Sequence, residues 1–156
     1  MPLIGAYYGP ILIFFGDFMN VEDVENYAYS LGGVLCDFPF ENDFQSRVLR
    51  HKASKKWFGI YLLAPVKSIL KWEQGEKLAA LQKLLCGMAE VPVLNLKCDP
   101  ALSLILQNNF TGIVPAYHMN KRNWISVIFG ADVPPDQWEQ LIRLSYDMTL
   151  AAADKI

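Results

Sequence analysis

The chain has 156 residues, 53% of them hydrophobic, with 19% charged and a net charge of −2. That composition excludes a disordered segment and describes one domain long enough to bury a core. Three cysteines, Cys36, Cys86 and Cys98, lie far apart without paired spacing, which argues against a disulfide framework and for reduced thiols in a cytoplasmic protein.

The small net charge conceals a division along the chain. Residues 1–46 hold seven acids and no lysine or arginine, residues 47–122 hold twelve bases against four acids, and residues 123–156 hold two bases and five acids. A basic middle is the footprint that an anionic partner feels. The other reading is that acidic and basic segments of one domain face each other.

Residues 1–18 read as an apolar extension ahead of a single domain at 19–156. The run Ile11–Phe15 is too short to cross a bilayer, which takes about 20 residues, and no basic segment of a signal peptide precedes it. No membrane association is expected; a short added strand is the structural reading. Asn20 followed by Glu22 and Asp23 predicts an N-cap with acids in the first turn, then a helix through Val24, Ala28 and Leu31 that Gly32-Gly33 stops. Cys36 to Phe40 reads as a connector.

Ser46 to Leu63 predicts a hairpin, with strands at Arg47–His51 and Trp57–Leu63 and a turn around Ala53-Ser54-Lys55. Trp72 to Met88 carries a helical stripe, Leu78, Leu81, Leu84, Leu85 and Met88, with Lys77, Gln82 and Lys83 opposite. Val91 to Lys97 reads as a strand. Asp99-Pro100 is a helix start, with aspartate as N-cap and proline at the first helical position. Thr111 to Pro115 reads as a loop, Tyr117 to Met119 as extended, Trp124 to Phe129 as a strand, and Pro135 or Asp136 as the start of a last helix. The sum is an α+β domain of two layers, an antiparallel sheet of four or five strands with helices packed on one face.

No catalytic motif is present: no GxSxG, HExxH, phosphate-binding GxxxxGK[ST], GxGxxG or CxxC. The two histidines, His51 and His118, have no acid or cysteine at ligand spacing, so neither a metal nor a cofactor is expected. Cys98 beside a helix start has the placement that lowers a thiol pKa; the competing reading is a buried packing residue.

Two clusters stand out. Arg47, Arg50, His51, Lys52, Lys55 and Lys56 precede Trp57 with no acid between them, on a predicted hairpin. Lysines at a hairpin tip suit contact with a phosphate backbone; on a solvated edge strand, lysine also discourages sheet-to-sheet pairing. The second cluster is Tyr117, His118, Asn120, Lys121, Arg122 and Trp124, a second basic turn with hydrogen-bonding groups. If Tyr117–Met119 is extended, His118 points away from Tyr117 and Met119.

The order Leu96-Lys97-Cys98-Asp99-Pro100, then Pro115-Ala116-Tyr117-His118-Met119-Asn120-Lys121, then Trp124-Ile125 and Ser145-Tyr146, resembles the MmcQ/YjbR family. The resemblance begins near Met19, which makes residues 1–18 atypical. It implies a compact α+β fold of secretion-chaperone-like or frataxin-like architecture. It also implies a non-enzymatic, predicted DNA-binding protein with a double-wing motif. Carried onto this chain, one wing is the Arg47–Trp57 hairpin and the other the His118–Trp124 segment. Arg47, Arg50, Lys52, Lys55, Lys56, Lys121 and Arg122 would neutralise phosphates, with Tyr117 and Asn120 hydrogen-bonding phosphate or sugar. The chain departs from a dedicated nucleic-acid binder in its pI of about 5.6, and it has no helix with base-reading spacing. The alternative is a module for an anionic small ligand or a protein partner, held in an aromatic pocket of Trp57, Tyr117, His118 and Trp124.

Overall fold

A computed structural model describes residues 18–43 and 45–155; the expected extension at 1–18 lies, but for Phe18, outside the described residues. The first helix, α1 (Val21–Ser30), starts where the sequence places it. Asn20 Oδ1 accepts from the Asp23 amide at 2.8 Å and Asp23 Oδ2 accepts from the Asn20 amide at 3.1 Å, a reciprocal cap that satisfies two otherwise orphaned donors. Gly32 and Gly33 take φ of +90° and +62°, turning the chain straight into a strand.

That strand is β1 (Val34–Asp37), whose last two residues, Cys36 and Asp37, were expected in a connector. Its four residues end in Asp37, and the apolar alternation is too short to show. It pairs with β2 (Arg47–His51), which pairs with β3 (Trp57–Pro65), then β4 (Glu90–Lys97). The far side is completed by β6 (Trp124–Ile128) and the edge strand β5 (Ile113–Pro115), for which the sequence suggested a loop. The sheet therefore has six strands, not four or five, all antiparallel in the order β1-β2-β3-β4-β6-β5. Both additional strands are short and lie at the edges, where three or four residues generate almost no periodic signal.

Helices cover both faces rather than one, a second correction. Leu49, Leu94, Leu96, Ile113, Ile125 and Val127 pack under α1, α4 (Pro100–Asn109) and α5 (Pro135–Met148). The opposite face carries Ala64, Val91, Val93, Val114 and Ile128 against α2 (Val66–Leu70) and α3 (Gly75–Leu84). Strand alternation dictates this: Val93 and Leu94 are neighbours with opposite pleats, and both are fully buried. The expected helix across Trp72–Met88 is shorter and is preceded by α2. Leu81 and Leu85 are buried, whereas Leu84 and Met88 are exposed. Lys77, expected in solvent, is half-buried and donates to the carbonyls of Gln107 and Ile113; desolvation lowers its pKa.

In α5, Trp138, Leu141, Ile142 and Ser145 are buried at i, i+3, i+4 and i+7, one helical face laid on the sheet. Between β2 and β3 the register slips, Leu49 facing Gly59 and Arg50 facing Trp57, so that Phe58 is an extra residue. A Cβ at Gly59 would stand 2.8 Å from Leu49 Cδ1, so a larger residue there would push the Leu49 side chain aside. Ser145 closes the assembly: its hydroxyl donates to the Phe58 carbonyl at 2.6 Å and accepts from the Lys97 amide at 2.9 Å.

Candidate nucleic-acid interface

The antiparallel order fixes where the two basic turns lie. β2 ends, β3 begins, β4 ends, β6 begins and β5 ends at the same end of the sheet. The turn between β2 and β3 and the loop between β5 and β6 therefore project from one end, with the C-terminal end of β4 between them. Their centres are three strand spacings apart, about 14 Å.

In the first turn Lys52, Lys55 and Lys56 are all exposed. The backbone beneath them is held tightly: the Lys55 amide donates to the His51 carbonyl, the His51 amide to Lys56, and the Lys52 amide to Gly33. Lys55 sits at φ +69°, the left-handed region uncommon for a residue with a side chain. Asp154, in the C-terminal 3-10 turn Ala152–Lys155, accepts from the Ser54 amide at 2.9 Å. That carboxylate also places a negative charge under the lysines, and its pKa is lowered by the hydrogen bonds it accepts. His51 is buried rather than part of the cationic surface. Its Nε2 lies 2.8 Å from Thr149 Oγ1, its ring packs on Phe58 and Tyr146, and desolvation lowers its pKa.

Arg47 and Arg50 stand apart from the lysines. Being odd and even in one strand, they occupy opposite faces. Arg47 meets Glu25 at 3.1 Å and Glu22 at 3.9 Å from α1, with its guanidinium over Phe38 and Tyr61. Arg50 meets Asp37 at 3.3 Å and lies over Trp57 at 5.8 Å. For these two residues, facing acidic and basic segments is the arrangement found.

The second loop is a pair of turns, not an extended segment. His118 takes φ +62°, and its ring stacks on Tyr117 at 4.1 Å instead of pointing away from it. The Tyr117 backbone is pinned, its amide donating to Ser126 Oγ and its carbonyl accepting from Asn95 Nδ2. Asn95 and Ser126 are fully buried and bonded to each other. Asn120 has a structural duty: its Oδ1 accepts from the amides of Arg122 and Asn123, an Asx turn that presents Lys121 and Arg122. Arg122 is exposed. Lys121 lies 4.8 Å from the ring of Trp72, a partner that nothing in the sequence places near it.

Trp57, Tyr117 and His118 share the wall of one cavity of about 510 Å³, with Phe40, Ile60 and Met119. Trp124 is not part of that wall; it is half-buried in β6, its amide donating to the Asn120 carbonyl. On the other side of the Tyr117–Met119 turn lies a second cavity of about 250 Å³, rimmed by Lys71, Trp72 and Lys121. Cys98 is buried, and desolvation pushes its thiol up to about 11, the reverse of an activated nucleophile. Among the described residues, no three His, Cys, Asp or Glu side chains converge as a metal site, and no helix is long and apolar enough to cross a membrane.

These features define an α+β domain on a six-stranded antiparallel sheet with two basic turns at one end. The chain belongs to the YjbR family, whose model, described as YjbR, matches residues 29–148. It is 34% identical over 128 residues to the uncharacterized protein YyaQ of Bacillus subtilis (strain 168), spanning 82% of this chain and 96% of that protein. It is 40% identical over 76 residues to the uncharacterized protein YbdF of Escherichia coli O157:H7, spanning 49% of this chain and 60% of that protein. A crystal structure of a Pseudomonas syringae protein is similar with a TM-score of 0.67 and 30% identity, covering 85% of this chain and 100% of that one. The fold is also that of a Deinococcus radiodurans protein with a DUF419 domain, at a TM-score of 0.62 and 21% identity, covering 88% and 86% of the two chains.

Proposed function

We infer that this protein is a non-enzymatic DNA-binding domain that grips the phosphate backbone without reading sequence. The observation that carries this reading is the placement of both basic turns at one end of the sheet. A spacing of about 14 Å is comparable with the ~12 Å width of the major groove, so two turns can approach phosphates on either side of it. Lys52, Lys55 and Lys56 supply the first set of contacts, and Lys121 and Arg122 the second. Arg47 and Arg50 are neutralised by Glu25 and Asp37 and drop out of the contact set. Asn120 and the Tyr117 backbone shape the second turn, with their free side-chain groups left for sugar or phosphate.

A small number of phosphate contacts on an acidic protein gives weak, salt-sensitive binding, with a Kd on the order of 10⁻⁶ to 10⁻⁴ M. The test is fluorescence anisotropy of a labelled generic duplex at about 50 and about 200 mM salt. Affinity falling steeply with salt is expected; no binding at the lower salt would retire the reading. A second reading rests on the cavity beside Trp57, Tyr117 and His118, whose volume lies in the range of about 300–1,000 Å³ typical of small-molecule sites. It assigns a small ligand to that cavity, with any negative charge on it held away from Asp43, which also lines the wall.

A further inference from the structure

Trp72 is half-exposed at 53%, unusual for so large an apolar ring on a surface where α2 otherwise buries Val66 and Ile69. It stands at the end of the second basic turn, with Lys121 Nζ 4.8 Å and Lys71 Nζ 5.8 Å from its ring centroid. The cavity it rims continues to the Tyr117–His118 pair. The same turn forms a wall of the larger cavity, where Trp57 and Phe40 meet edge to face at 6.1 Å. Two adjoining clefts thus lie along the half of this sheet face that α2 and α3 leave open. Both have aromatic rings in their walls, and the outer one has two ammonium groups on its rim.

A phosphate groove needs only charge; it has no use for aromatic rings turned to solvent. An isolated apolar pocket, conversely, has no use for two lysines on its rim. The combination suits a planar group that carries negative charge at its edge. A chain of such groups is an unpaired nucleic-acid strand, whose bases stack on aromatic faces while the phosphates meet the cations. His118, held at φ +62° in the wall between the clefts, is the kind of sparsely populated backbone state found at binding sites.

We propose that the clefts on either side of the Tyr117–Met119 turn receive unpaired bases of a single-stranded nucleic acid, with Trp72 as the outer stacking ring and Lys71 and Lys121 on the flanking phosphates. This rests on the backbone-binding reading above and names its preferred substrate. A duplex can touch the two turns, but its paired bases cannot enter the clefts.

The experiment compares a labelled thymidine oligomer with a labelled generic duplex at the same salt, for the wild type and for Trp72→Leu. Trp72 is half-exposed, so this variant should fold, and its circular dichroism and urea midpoint verify that independently of binding. The single strand should bind the wild type about tenfold more tightly than the duplex. Trp72→Leu should cost about tenfold on the single strand and leave the duplex unchanged. Duplex binding with no single-strand preference overturns this inference and leaves the backbone reading intact. An equal loss on both substrates in Trp72→Leu also overturns it, because the ring would then only position the turn. No binding to either overturns both. Displacement of the oligomer by equimolar thymidine monophosphate would move the assignment from a strand to a free nucleotide.

Discussion

The two basic turns share one end of the sheet, yet they are built in opposite ways. The first is fixed from below by backbone hydrogen bonds and by Asp154, with its lysines exposed and, among the described residues, no ring in cation–π contact with them. The second is fixed from within by Asn120 and lays its lysine over Trp72. A turn of the first kind offers charge alone, so its contribution to binding is screened by salt and blind to the bases. A turn of the second kind offers a surface with shape, on which the chemistry of a partner can matter.

Several substitutions break or sharpen that contrast. The largest effect belongs to Ser145, which ties the start of β3, at the root of the first turn, to the end of β4. Ser145→Ala strands the Phe58 carbonyl and the Lys97 amide in a buried place, and should lower the unfolding free energy by about 3 kcal/mol. Urea denaturation reads this directly, and a loss below about 0.5 kcal/mol would mean the two groups find other partners. Next comes the charge of the first turn. Lys55→Asn with Lys56→Gln keeps a residue that tolerates positive φ at position 55. It should reduce the slope of log affinity against log salt by roughly two on any duplex sequence, with little change in stability. An unaltered slope would remove this turn from the interface.

Asn120→Ala should cost about 1 kcal/mol in stability by releasing the amides of Arg122 and Asn123. The comparison predicts that it weakens single-strand binding more than duplex binding, since only the second turn changes shape. The smallest effect is one of pH. Burial holds the His51 imidazole below the usual histidine range. As pH falls through about 6.5 the unfolded chain therefore takes up its proton first, and stability declines progressively below that point. Denaturation midpoints at about pH 7.5 and about pH 5.5 should differ more for the wild type than for His51→Gln. Equal differences would show that other groups dominate.

The parts legible in the sequence were those with local causes. The Asn20 cap, the Asp99-Pro100 helix start, the β2–β3 hairpin and β4 each follow from a few neighbouring residues, and the structure has them in place. What escaped depends on distance. β1 and β5 are too short to announce themselves, and each exists because a longer strand offers it an edge. The helices on the second face follow from β4 being buried on both sides, but a run such as Val91 to Leu96 does not say which helix covers which side. In the basic hairpin, strand parity separates Arg47 from Arg50, yet the acids that neutralise them come from α1 and β1. Tyr117 and His118 were legible as aromatic members of the second turn, but Trp72 meets Lys121 only because α2 folds back along the sheet, and nothing in the sequence signalled that ring. The left-handed backbone at His118 was equally silent; it follows directly on Tyr117, whose backbone Asn95 and Ser126 hold from other strands.

The bond from Ser54 to Asp154 bridges 100 positions, so the first turn is held by two segments that lie far apart in the chain. Opening of the 3-10 turn Ala152–Lys155 would release the Ser54 amide and leave Lys52, Lys55 and Lys56 on a looser backbone. The second turn closes against Asn95 and Ser126 and does not use that segment. Local opening at Ala152–Lys155 would therefore slacken the purely cationic turn while the aromatic cleft stayed formed.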